Sequence, residues 1–296
     1  MKTTMFEGVG TALVTPFNKD GSVDFEGLTK LLEFQIENKA DAVIICGTTG
    51  EASTMPDKEH ISVVEHSIKV VNKRIPVIAG AGSNDTVHGA ELAKEMQNIG
   101  ADGLLLVTPY YNKTSKKGLY KHYEATVKDI NIPVCLYNVP GRTGLNIDLG
   151  VLKELAQIDC IVAIKEASGN VSYAMKIAAD IPELDIYSGN DDIIVPILSL
   201  GGKGVISVVS NILPKETHDI CEYYFKGEVE KSRALQLKML ELINNLFIEV
   251  NPIPVKEAMN MMGLPSGMLR LPLCEMEDGN REILKKSMER YGIKLQ

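Results

Sequence analysis

The chain has 296 residues, 45% of them hydrophobic and 24% charged, a composition that suits a folded globular protein and excludes a fibrous or wholly disordered one. Its 31 Lys plus Arg against 39 Asp plus Glu leave a formal net charge of −8, a sign that repels phosphate backbones and anionic lipid headgroups, so neither nucleic acid nor a membrane surface is expected as a partner. No stretch approaches the roughly 20 apolar residues that span a bilayer, and residues 1–6 (MKTTMF) lack the apolar core and cleavage site of a secretory leader, so the expected compartment is the cytoplasm.

Short β-branched runs recur along the chain, each stopping at a small or polar cluster. They are residues 8–15 (GVGTALVT), 42–46 (AVIIC), 76–79 (PVIA), 103–108 (GLLLVT), 133–137 (PVCLY), 161–164 (IVAI), 184–187 (LDIY) and 204–209 (GVISVV). Most are separated by segments of helical period. Ile61, Val64, Ile68 and Val71 fall on one helical face, and Thr54, Pro56 and Asp57 mark that helix's start. Near-continuous apolar strands alternating with amphipathic helices imply a parallel sheet covered by helices. Eight such units favour a closed (β/α)8 barrel, a TIM barrel, over an open doubly wound sheet. From residue 226 onward, Leu235, Met239, Leu242 and Leu246 recur at helical spacing. The expected organisation is therefore a barrel over residues 1–225 and a C-terminal helical extension over 226–296, packed on the barrel. The five cysteines form no CxxC pair and read as buried small apolar residues.

In such a barrel the C-terminal strand ends build the active site. Lys165 continues the apolar run 161–164, where a lysine either snorkels to water or is desolvated into a nucleophilic amine able to form a Schiff base with a carbonyl. Tyr137 ends the preceding strand, about 4.8 Å away in a parallel sheet, within reach of that nitrogen as a proton shuttle or else as a core tyrosine with one hydrogen bond. The turn GTTGE at 47–51 brackets two hydroxyls between glycines. It lacks the Gly-Lys-Ser/Thr of a phosphate loop, so a small carboxylate suits its backbone N–H groups better. Arg142, in PGRTG at 140–144, lies past Tyr137 over the same mouth and could grip a carboxylate bidentately or merely hold structure. Tyr110 and Tyr111 close the fourth strand, where neighbours face opposite sides, so one of them enters the local site. GGKG at 201–204 precedes a strand and reads as a turn, while Asp191 and Asp192 open the helix after strand seven. His60 and His66 do not share a helical face; no metal and no cofactor are assigned.

Taken together, GTTGE at 47–51, TPYYN at 108–112, YNVPGRTG at 137–144, IKEASG at 164–169, GVIS at 204–207 and NPIPVK at 251–256 resemble the dihydrodipicolinate synthase family, in order and over essentially the whole chain. The lysine, the tyrosine and the turn are shared across pyruvate-dependent aldolases; Arg142 and the tyrosine pair narrow the resemblance to the synthases. It implies condensation of pyruvate with L-aspartate 4-semialdehyde, the first committed step of the diaminopimelate route to lysine, without a cofactor. Lys165 would form the imine, with the pyruvate carboxylate held by Thr48 and Thr49 and the backbone carbonyl of Ile206 beside it. Tyr137, Thr49 and Tyr111 would relay protons, Tyr111 crossing into a neighbouring subunit of a homotetramer built as a dimer of dimers. Arg142 would hold the semialdehyde carboxylate.

The resemblance also marks a candidate lysine effector site at Ala52, Asp57, His60, Asn84, His88 and Tyr110. Lysine-sensitive members carry His where this chain has Asp57 and Glu where it has His88. A largely neutral imidazole offers no fixed negative charge to an α-ammonium, so weak or absent lysine inhibition is expected. The rival readings are another aldolase, acting on N-acetylneuraminate or a 2-keto-3-deoxy sugar acid, and a silent 2-oxo acid sensor. The second would lack Lys165 or Tyr137, and both are present.

Overall fold

A computed structural model describes residues 2–296. In chain order the elements are β1 (Gly8–Ala12), α1 (Phe25–Glu37), β2 (Ala42–Ile45), α2 (Asp57–Val71), β3 (Val77–Gly80), α3 (Thr86–Asn98), β4 (Gly103–Val107) and α4 (Lys116–Thr126). They continue with β5 (Val134–Asn138), α5 (Pro140–Thr143), α6 (Leu149–Leu155), β6 (Ile161–Glu166), α7 (Val171–Asp180), β7 (Asp185–Ser188), α8 (Ile194–Leu198), β8 (Gly204–Ser207) and α9 (Pro214–Phe225). Three further helices follow, α10 (Val229–Asn245), α11 (Ile253–Met261) and α12 (Asp278–Tyr291). All strand pairs are parallel, and β1 pairs with β8, so the sheet closes into the expected eight-stranded barrel. The eight runs all become strands, with ends shifted by a few residues. The largest shifts are at β1, which stops at Ala12, at β6, which extends through Lys165 to Glu166, and at β8, which stops at Ser207.

Strand alternation sorts the core into two layers. Ala42 and Ile44 of β2, and Cys135 and Tyr137 of β5, join a cluster inside the barrel; their neighbours Val43, Ile45, Val134 and Leu136 pack outward with the helices. Each fully buried aliphatic side chain in these layers contributes roughly 1.5–3 kcal/mol. Phe6 enters the inner cluster and stacks on Tyr187, whose hydroxyl donates to the Phe6 carbonyl at 2.6 Å and accepts from its N–H at 3.1 Å. Closure between β1 and β8 depends on bare backbone: Gly204 has φ +149°, and a Cβ there would lie 1.8 Å from the Gly8 carbonyl oxygen.

Helix starts follow local chemistry. The side chains of Asp24, Asp85, Ser115, Asp148 and Asn170 accept from the first-turn N–H groups of α1, α3, α4, α6 and α7. Helix α2 begins at Asp57 after Pro56, whereas Thr54 lies in a 3-10 turn (Ala52–Thr54) and donates to the Glu51 carbonyl instead of capping the helix. In α10, Met239 and Leu242 are buried, as is Leu246 just beyond its end, and the helix packs on α9 and α12. Asp191 and Asp192 open a 3-10 helix (Asp191–Ile193) that runs into α8, but the buried Asp191 carboxylate accepts from the Val208 and Val209 N–H groups beyond β8. Cys46, Cys135 and Cys221 are buried, Cys160 is half-buried, and Cys274, contrary to expectation, is exposed on the segment before α12.

Candidate active site

Lys165 sits near the end of β6, directly paired in register with Tyr137 of β5 on one side and Tyr187 of β7 on the other. Its side chain is inward and the residue is only 5% exposed, so the reading of a lysine that snorkels to bulk water does not hold. The amine lies 4.3 Å from the centroid of the Tyr137 ring. Ile206 of β8 adds its side chain to the same inner cluster as Tyr137 and Tyr187.

The next residue, Glu166, fixes the neighbouring loop. Its carboxylate accepts from Asn138 Nδ2 and from the Ser168 N–H, both at 2.7 Å, and burial pushes its pKa up against the lowering effect of those bonds. Asn138 Oδ1 in turn accepts from the Ile147 N–H at 3.0 Å. This pins both ends of the segment that carries Arg142. Arg142 is exposed on the short α5 and spends one of its five donors on the Asn251 carbonyl, at 2.9 Å from Nη2.

A cavity of about 720 Å³ opens at this mouth, lined by Thr48, Tyr137 and Arg142 and also by Ala52, Asp57, His60, Asn84, His88 and Tyr110. All six candidate effector residues therefore share one continuous cavity with part of the candidate catalytic set. His60 bonds the Gly80 carbonyl through Nε2 at 2.8 Å, and burial lowers its pKa. His88 spans Ser83 Oγ and Asp57 Oδ1, each at 3.0 Å.

The turn at 47–51 separates its two hydroxyls. Thr48 is exposed toward the cavity, while Thr49 is 3% exposed and its Oγ1 accepts from Asn251 Nδ2 at 2.9 Å. Glu51 closes the turn in the left-handed region, φ +57°, where its carboxylate accepts from Lys256 Nζ at 2.7 Å.

Tyr110 and Tyr111 do diverge, but for a different reason from strand alternation. β4 ends at Val107, and the chain turns through a left-handed Tyr111, φ +67°. Tyr110 lines the cavity, its carbonyl accepting from Asn84 Nδ2 at 3.2 Å, while Tyr111 is 92% exposed. Within one chain, Tyr111 is not brought to Tyr137.

Asn251, Lys256, Glu166 and Asn138 gain their places in the site only from the fold. Lys256 carries the same sequence sign as Lys165, a lysine ending an apolar run (PIPV). Among the described residues one group has metal-ligating geometry, His218, Asp219 and Glu222 on α9. His218 is bonded to Asp41 at 2.8 Å, and the two carboxylates are paired with Lys215 and Lys226, which makes an ion-pair cluster beside the start of β1 and β2. No helix among the described residues is long and apolar enough to cross a membrane.

A closed parallel barrel whose mouth pairs a buried lysine with a tyrosine on the adjacent strand has the parts of an enzyme of the (β/α)8-barrel class. The model of the Dihydrodipicolinate synthetase family matches residues 5–291, and the chain belongs to that family. It is 60% identical over 290 residues to a 4-hydroxy-tetrahydrodipicolinate synthase of Caldicellulosiruptor bescii, covering 98% of both chains. Its structure is similar, at TM-score 0.95 and 42% identity, to a chloride-inhibited dihydrodipicolinate synthase from Acinetobacter baumannii complexed with pyruvate, covering 98% of this chain and 100% of that one. It is equally similar, at TM-score 0.95 and 37% identity, to the enzyme from Cyanidioschyzon merolae with lysine bound, covering 99% of this chain and 100% of that one.

Proposed function

We propose that the chain catalyses the 4-hydroxy-tetrahydrodipicolinate synthase reaction, joining pyruvate to L-aspartate 4-semialdehyde through an imine on Lys165. The observation that carries this reading is the register pair of Lys165 and Tyr137, an amine and a phenol on adjacent strands at the barrel mouth. The Lys165 amine adds to the keto carbon of pyruvate, and loss of water leaves the iminium. Loss of a methyl proton gives the enamine, whose carbon bonds to the aldehyde carbon as the aldehyde oxygen takes up a proton. The amino group of the semialdehyde then attacks the former keto carbon, and the Lys165 amine departs as the ring closes.

Tyr137 moves the protons. With Thr49 buried and Thr48 open to the cavity, the relay part expected of Thr49 passes to Thr48, and Thr49 is left to the pyruvate carboxylate. The Ile206 carbonyl lies beside that substrate, and Arg142 takes the semialdehyde carboxylate with its remaining donors. The exposed, left-handed Tyr111 completes the relay in the site of a second copy, within a homotetramer. Residues 1–225 supply the barrel and 226–296 an extension that bears on the site through Asn251. The five unpaired cysteines suit a reducing, cytoplasmic setting.

Borohydride reduction in the presence of pyruvate, followed by peptide mass mapping, should place one pyruvate-derived adduct on Lys165; no adduct there overturns the imine. Pyruvate consumption should be fastest with aspartate semialdehyde. Preference for N-acetylmannosamine or glyceraldehyde reassigns the chain to a sugar-acid aldolase. Sedimentation at several concentrations tests the tetramer.

A further inference from the structure

We propose that Asn251 is a positioning residue for the oxo-acid substrate: its side-chain amide sets the Thr49 hydroxyl as a hydrogen-bond donor toward the substrate carboxylate. The proposal rests on the imine reading above, and it assigns a function to a residue 202 positions away from the turn it acts on.

Asn251 lies between α10 and α11, is 6% exposed, and meets two parts of the site at once. Its Nδ2 donates to Thr49 Oγ1 at 2.9 Å, and its backbone carbonyl accepts from Arg142 Nη2 at 2.9 Å. A threonine hydroxyl has one proton to give and two lone pairs to receive. Once an amide N–H occupies a lone pair, the hydroxyl proton is left for another acceptor. In a buried turn whose backbone N–H groups already suit an anion, a carboxylate is the acceptor that benefits most. An acceptor at position 251 would instead draw the Thr49 proton away from the substrate.

The other end of the amide argues the same way. Asn251 Oδ1 is buried with no partner among the described residues. A buried orphan acceptor costs stability, and an aliphatic side chain of similar size would fill the space without it. The value of an amide here therefore lies in its donor. The two bonds also divide the substrates: the side chain serves Thr49, and the backbone serves Arg142.

That division supplies the test. Asn251→Leu removes the donor without adding charge and leaves the backbone carbonyl in place. It should raise KM for pyruvate about tenfold or more, while KM for aspartate semialdehyde and kcat at saturating pyruvate stay within about twofold. In a Thr49→Val background the same substitution should add less than about twofold, because the hydroxyl it orients is gone. Equal rises in both KM values, an unmoved pyruvate KM, or a full effect in the Thr49→Val background would each overturn the proposal. If Asn251→Leu does not fold, as judged by circular dichroism, Asn251→Ala takes its place under the same criteria. Borohydride trapping on the unsubstituted enzyme is run alongside. Absence of its Lys165 adduct sinks the parent reading, whereas a normal adduct with an unmoved pyruvate KM sinks only the role of Asn251.

Discussion

Lys256 and Glu51 form an ion pair at 2.7 Å with both side chains 1% exposed, joining α11 to the last residue of the GTTGE turn. Burial lowers the pKa of Lys256, and Glu51 opposes that shift. The amine also donates to the carbonyls of Thr15 at 2.9 Å and Met268 at 2.6 Å, and lies 4.6 Å from the Phe17 ring centroid. Glu51 accepts a further bond from the Arg270 N–H at 3.0 Å. Both charges are thus fully engaged, and removing either leaves the other buried and alone. Lys256→Met or Glu51→Gln should each lower unfolding stability by about 3–5 kcal/mol in urea titrations at fixed protein concentration. The double variant should lose less than the sum, because it leaves no uncompensated charge. Single losses within 0.5 kcal/mol, about the level of an inert surface change, would show that the pair does not hold the turn.

Tyr111 carries the next expectation. Its side chain is 92% exposed, and the proposed relay role puts its hydroxyl in the site of a second copy. Tyr111→Phe should depress turnover by about 10²-fold or more while leaving the borohydride-trapped adduct on Lys165 intact. Mixing that variant with Lys165→Ala and reassembling the subunits should recover activity that neither shows alone. Failure to complement would keep Tyr111 within its own chain's chemistry, and loss of the adduct would move it to imine formation.

The barrel and the Lys165–Tyr137 pair were legible because both rest on strand periodicity, which is local: an apolar run of four residues fixes which side chain comes next and which strand lies beside it. Tyr110 and Tyr111 diverge as expected, but the ladder stops at Val107, and a left-handed residue rather than strand alternation sets their directions. Which of Thr48 and Thr49 faces the cavity was illegible for a related reason, since turn geometry decides it. Asn251 and Lys256 act across more than 200 residues, and no spacing rule reaches that far. Lys256 nonetheless carried a readable sign, an amine closing an apolar run, which in a folded chain demands a partner.

The expected weakness of lysine inhibition turns on two residues that meet one another. His88 Nε2 and Asp57 Oδ1 are 3.0 Å apart at the cavity rim, and His88 is also tied to Ser83. An incoming α-ammonium would have to compete with the imidazole for the Asp57 carboxylate and finds no carboxylate at position 88. Lysine should therefore inhibit weakly or not at all, and half-inhibition below about 1 mM in a steady-state assay would refute this, since that affinity corresponds to about 4 kcal/mol of binding. His88→Glu should increase sensitivity by supplying the missing charge.

Histidine burial makes a signed prediction about pH. The His60 ring is buried against the Gly80 carbonyl, and desolvation lowers its pKa more than that bond and Asp57 raise it. The unfolded chain takes up a proton near pH 6.5, whereas the folded one resists until the pH is lower. Over that window the unfolded state binds more protons, so stability is full above about pH 6.5 and declines as pH falls through the folded pKa. His218 works in the opposite sense: its bond to Asp41 raises its pKa, so its contribution is full below about pH 6.5 and is lost as pH rises through the raised value. Unfolding free energies measured from pH 5 to 8 should respond to each ring separately. His60→Gln should flatten the rise of stability with pH below about pH 6.5, and His218→Gln should remove a fall of stability with pH above it. A slope unchanged by His60→Gln would mean that the ring takes up its proton equally in both states, and so that the cavity wall at Gly80 is open to water.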